Sequence, residues 1–126
     1  MPALRVVLWD QLSLNISSLQ GLDKSSDVIF FCEVREECTY VKHHKAKLVF
    51  LFASMRHFAN ELINNGYSVV YIKLDDENNT QSLTTEIVRA AKKTGLTHVI
   101  VTEPGEYRIL DNLRKLETKL KLAVLE

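Results

Sequence analysis

An α/β fold, built on one open parallel sheet with helices on both faces, is the class this sequence predicts. Three observations lead there. Short apolar runs rich in β-branched residues recur along the 126 residues, amphipathic stretches of helical period lie between them, and glycines stand where several of those stretches end. Parallel neighbours need crossover connections, and crossovers in one sheet are right-handed. Five such strands therefore arrange themselves in the order 3-2-1-4-5, a Rossmann-like sheet.

Each element has its own warrant. Leu4 to Trp9 reads as a buried strand, and Asp27 to Cys32 repeats the pattern. Between them, Leu14 to Gly21 is long enough for two helical turns, with Asn15 or Ser17 as caps and Gly21 as a stop. From His43 to Asn65, residues Leu48, Leu51, Phe52, Met55, Phe58, Ala59, Leu62 and Ile63 recur at steps of three and four, the mark of a long amphipathic helix. Asn64-Asn65-Gly66 offers left-handed conformations that end it. Ser68 to Lys73 is the third strand, followed by a polar loop from Asp75 to Thr80. A second helix, Gln81 to Thr94, turns Leu83, Ile87, Val88, Ala90 and Ala91 inward and ends with Lys92, Lys93 and Gly95. Thr97 to Thr102 is the fourth strand. After Pro104-Gly105, a third helix aligns Ile109, Leu113, Leu116 and Leu120, and Leu122 to Leu125 closes the sheet.

Composition narrows the function. Sixteen basic and sixteen acidic residues cancel, which argues against a domain that binds nucleic acid mainly by neutralising phosphates. The longest apolar run, Leu48 to Met55, is far short of the roughly 20 residues of a membrane span. The start, Met1-Pro2-Ala3-Leu4-Arg5, lacks the pattern of a secretion leader, and two cysteines make no disulfide framework. The expected setting is the cytoplasm. Residues 1–126 read as a single domain.

In an open α/β sheet, ligands bind beyond the carboxyl ends of the strands, where the winding reverses, here between strands one and four. That rule selects three loops. The first, Trp9-Asp10-Gln11-Leu12-Ser13, has no glycine and so no phosphate-cradling turn. Asp10 there either accepts hydrogen bonds from a ligand or caps the following turn, while Gln11 can donate and accept. The second loop, from Cys32 and Glu33 through Glu37, Cys38 and Tyr40 to His43 and His44, is longer than a simple connection needs. Its thiols and imidazoles match no zinc spacing, so a metal is not expected. The third loop, Thr102 to Tyr107, places Glu103 and Glu106 at a helix start, either as favourable dipole charges or as ligand contacts. Arg56 and His57 read as a solvated or salt-bridged helix face. No nucleophile or acid/base pair stands out.

Five motifs in order, Asp10-Gln11-Leu12, Cys32-Glu33-Val34, Tyr40-Val41-x-His43-His44-x-x-Lys47, Met55-Arg56-His57-Phe58-Ala59 and Thr102-Glu103-Pro104-Gly105-Glu106, span nearly the whole chain. Together they resemble the amino-terminal domain of bacterial photolyase-related proteins, the branch of iron-sulfur cryptochromes and (6-4) photolyases. The resemblance implies an antenna domain that holds a chromophore such as 6,7-dimethyl-8-ribityllumazine. It further implies a carboxyl-terminal helical domain, absent from these residues, that carries FAD and a [4Fe-4S] cluster and meets damaged DNA. On this likeness Asp10 and Gln11 would meet polar edges of the ring or ribityl chain, Leu12 would belong to the same site, and Cys32, Glu33 and Val34 would line its wall. Glu37 would hydrogen-bond the ring, Tyr40 and His43 would stand nearby, Leu51 would add an apolar face, and Glu103 and Glu106 would complete the site. Trp9 departs from the small residue often found at its position, and Tyr107 from a frequent Trp. An isolated domain of this kind would expose its contact surface and could form a weak or crystal homodimer. The alternatives are a ligandless docking scaffold of the same protein, or a receiver-like signalling domain with Asp10 and Asp75-Asp76 as its acidic residues.

Overall fold

The computed structural model describes residues 2–8, 11–34, 45–104 and 107–125, the side chains of 45–49 and 107–108 excepted. Its elements in chain order are β1 (Ala3–Val6), a 3-10 turn (Ser17–Leu19), β2 (Val28–Cys32), α1 (Lys45–Asn64), β3 (Val69–Ile72), α2 (Leu83–Thr94), β4 (His98–Thr102), α3 (Tyr107–Arg114), a 3-10 turn (Lys115–Thr118) and β5 (Lys121–Leu125). The five strands form one parallel sheet in the order β3-β2-β1-β4-β5. The expected architecture is the observed one, with boundaries shifted by a residue or two at most described ends. β1 is shorter than expected, ending at Val6.

Alternation along the strands sorts the core into two layers. Leu4, Val6, Leu8, Phe30, Cys32, Val34, Val99 and Val101 face α2 and α3, meeting Leu83, Ile87, Ile109 and Leu113. On the opposite face Val7, Ile29 and Phe31 pack against Met55, Ala59 and Leu62 of α1 and against Leu19. Phe31 stacks on Tyr71 at 5.6 Å and meets Phe58 edge-on at 6.0 Å, so aromatic contacts tie β2, β3 and α1 together. At the end of α2, Gly95 adopts φ +75° and lets Leu96 N–H bond the Ala91 carbonyl at 3.1 Å.

The first crossover differs from expectation: residues 14–21 form only the single 3-10 turn at Ser17–Leu19 instead of two helical turns. Buried polar anchors hold this segment on the sheet. Arg5, inside β1, donates through Nε to Asp27 Oδ2 at 3.0 Å and through Nη1 to the carbonyls of Ser18 and Gln20 at 3.1 and 2.8 Å. Asp27 also accepts from the Ala3 and Asp23 amides. The Thr102 hydroxyl, at the end of β4, accepts from Ser18 N–H at 2.8 Å and lies 3.0 Å from Ser17 Oγ. These anchors hold the 3-10 turn between two extended residues, Ile16 with ψ 151° and Gln20 with ψ 135°, so the chain neither enters nor leaves it as an α-helix.

Candidate functional site

The carboxyl ends of β1 and β4 diverge at the switch point, and Gln11 spans them. Its Oε1 accepts from Leu8 N–H at 3.3 Å and its Nε2 donates to the Thr102 carbonyl at 3.2 Å. The side chain is thus a tie across the crevice, 9% exposed, that fixes where the β1 exit stands relative to β4. Leu12 follows it, half-buried against the α1 side of the core.

Glu33 ends the apolar run of β2 and shares the face of Ile29 and Phe31, which turns its carboxylate under α1 with no solvent exposure. A buried carboxylate must be paired, and this one has four donors. Arg56 of α1 grips it with both Nε (2.7 Å to Oε2) and Nη2 (2.6 Å to Oε1). The Tyr71 hydroxyl of β3 donates to Oε2, and the Leu74 amide donates to Oε1 at 3.0 Å. Burial pushes the Glu33 carboxyl upward, but the hydrogen bonds from Arg56, Tyr71 and Leu74 outweigh it and hold the group below the ordinary carboxylate value. Burial, together with the hydrogen bond to this carboxylate, raises the Tyr71 hydroxyl well above its usual 10.0. Asn79 closes the frame by donating to the Glu33 carbonyl at 2.8 Å and to the Lys73 carbonyl at 2.9 Å. Glu33 therefore locks β2, β3 and α1 at the end of the sheet that carries the loops.

The structure distributes the expected ligand residues among three roles. Gln11 and Glu33 have their carbonyl and carboxylate oxygens engaged by protein donors and act as framework. Cys32 and Val34 are buried among the residues beneath α2 and α3. Leu12, Leu51 and Glu103 stay at least partly accessible, and the Glu103 amide bonds the Leu125 carbonyl at 2.6 Å. Asp10, Glu37, Tyr40, His43 and Glu106 lie outside the described residues, as do Trp9, Cys38 and His44. No cluster of three metal-ligating side chains occurs among the described residues.

Beside Leu12, the flank of α1 carries a groove of about 420 Å³ lined by Phe50, Ala53, Ser54, His57 and Phe58. Phe50 is 69% exposed on its rim, and His57 Nε2 lies 2.9 Å from Glu61 Oε1. Arg56 and His57 carry salt bridges, one of the two states the sequence offered for them, whereas this apolar surface and Glu33 as the partner of Arg56 are not among its expectations. The pair had a signal: Glu33 continues the parity of Ile29 and Phe31, and Arg56 stands four residues after inward-facing Phe52.

The described residues define an open α/β domain of Rossmann-like topology whose switch-point crevice is tied by Gln11. The family model described as deoxyribodipyrimidine photo-lyase-related protein matches residues 5–126, and the chain belongs to that family. It is also 48% identical over 109 residues to a (6-4) photolyase from Agrobacterium fabrum (strain C58 / ATCC 33970). That match covers 86% of this chain and 22% of the relative, so the chain spans about a fifth of the relative's length and corresponds to its amino-terminal domain. No described helix is long and apolar enough to cross a membrane.

Proposed function

We propose that this domain is the antenna-binding part of a longer cytoplasmic photolyase-related protein and holds a chromophore of the 6,7-dimethyl-8-ribityllumazine type beyond the carboxyl ends of β1, β2 and β4. What the bound chromophore supplies is absorption of near-ultraviolet or blue light, whose energy passes to FAD in a carboxyl-terminal helical domain. Repair of damaged DNA belongs to that larger protein, and the domain itself performs no bond chemistry. The observation that carries this reading is the convergence, at one end of the sheet, of the Gln11 tie, the Glu33 lock and the apolar surface of Leu12, within a chain that matches the family along almost its full length.

In this reading Gln11 and Glu33 frame the pocket, and Leu12 and Leu51 give it an apolar wall. Its polar contacts to the ring and ribityl chain are assigned to Asp10, Glu37, Tyr40, His43 and Glu106, with Glu103 at the edge. Absorption and fluorescence titration of the purified protein with 6,7-dimethyl-8-ribityllumazine is the test. Saturable binding with a spectral shift, abolished by Glu37→Ala in a protein that remains folded, is the expected result. One observation favours a second reading: the polar groups of Gln11 and Glu33 are already engaged within the protein. If the folded wild type leaves the lumazine spectrum unchanged, the domain is a ligandless docking scaffold for the same larger protein.

A further inference from the structure

We propose that the groove at the opposite, amino-terminal end of the sheet is a binding site for a small amphipathic anion, an apolar body bearing one carboxylate or sulfonate group. The groove lies between the last turn of α2, the approach to β4 and the approach to β5, and encloses about 520 Å³. That is the volume of a small-molecule site, for which roughly 300–1,000 Å³ is usual. Its floor is Val88, Ala91, Leu96 and Leu120, apolar side chains that rest on or belong to the core beneath α2 and α3. Its rim carries Lys92 and Lys119, and the lining contains no carboxylate.

Charge decides the ligand class. Neither lysine makes an ion pair among the described residues, although arginines on the same face of the molecule do, Arg89 with Glu86 and Arg114 with Glu117. Lys92 lies in the last turn of α2, and Lys119 caps the 3-10 turn that continues α3, so the carboxyl ends of two helical segments each bring one lysine to the groove. With two lysines at the rim of one apolar groove and no carboxylate in its lining, a bound anion gains from their charge while its apolar part displaces water that the floor cannot hydrogen-bond. A neutral apolar ligand gains only the second effect, and an inorganic anion only the first. The site is distinct from the crevice at the carboxyl ends, so it stands whether or not a chromophore binds there.

The purified protein titrated with 8-anilinonaphthalene-1-sulfonate tests the proposal, with neutral N-phenyl-1-naphthylamine as the uncharged counterpart. Saturable one-to-one sulfonate binding is expected, with a Kd on the order of 10–100 μM. Amide shifts in a ¹⁵N correlation spectrum should centre on Leu96, Thr97 and Leu120. Lys92→Ala/Lys119→Ala, both exposed and neutral to folding, should weaken the sulfonate about tenfold and leave the neutral compound within about twofold. Sulfonate affinity unchanged in the double variant, shifts centred on Phe50 and His57 of α1, or no saturable binding would each overturn the assignment.

Discussion

Glu33 shows how one residue can carry a fold's polar accounting. Its carboxylate has lost all contact with water and recovers four donors, two from Arg56 of α1, one from Tyr71 of β3 and one from Leu74 just after β3, so each donor's removal is felt. Tyr71→Phe deletes one charge-assisted hydrogen bond and should cost about 1–2 kcal/mol in denaturant unfolding at pH 7. Arg56→Ala should cost about 2–3 kcal/mol, less than a fully buried pair, because the Arg56 side chain is 45% exposed and water can partly replace it. The pH dependence has a definite sign. The Glu33 value in the folded protein lies below the ordinary 4.5, so its contribution is present above that pH and is lost as pH falls through the lower folded value. Tyr71→Phe removes a donor and brings that value back up, so the acid-unfolding midpoint, followed by circular dichroism, should move to higher pH. An unmoved midpoint would show that the hydroxyl does not stabilise the carboxylate.

Among the elements, the first crossover departs furthest from helical expectation, held instead by a buried ion pair and a threonine hydroxyl, and the third helix ends early at Arg114, with Leu116 in a 3-10 turn and Leu120 beyond it. Thr102→Val keeps the shape but leaves Ser18 N–H without its acceptor, at a cost of about 1–3 kcal/mol. Hydrogen exchange should quicken at Ser18 first, with the protection of β2 reduced only by the global loss of stability. Most of the elements were legible because their period and stop residues agree. Leu83, Ile87, Ala90 and Ala91 face inward as α2's pattern requires, and Gly95 caps it. Residues 14–21 misled because local spacing cannot reveal that Arg5 and Thr102, on two strands of the sheet, anchor this segment between extended Ile16 and Gln20. The site was legible at the level of place, since strand order alone points to the ends of β1 and β4. The roles of Gln11 and Glu33 were not, because a polar residue near a crevice reads the same whether its partners are ligand or protein.

For the molecule as a whole, the balance of sixteen acids and sixteen bases hides an uneven surface. The α1 flank exposes Phe50 and Ile63, with Leu14 also exposed on the first crossover, and the low net charge offers little long-range repulsion between copies. Sedimentation velocity should show weak, concentration-dependent self-association that Phe50→Ser reduces, with stability changed by under about 0.5 kcal/mol because the ring is mostly in water. The sheet's topology also bears on synthesis. β1 occupies the centre, and its outer neighbour on one side, β4, begins only at His98, paired with Ala3. A chain growing from the ribosome can zip β1 to β2 and β3 early, yet one rim of β1 stays bare until the last quarter of these residues has emerged. During that interval the unpaired backbone edge of β1 is open to any passing strand or chaperone, which makes the late arrival of β4 the step that commits the nascent domain to its fold.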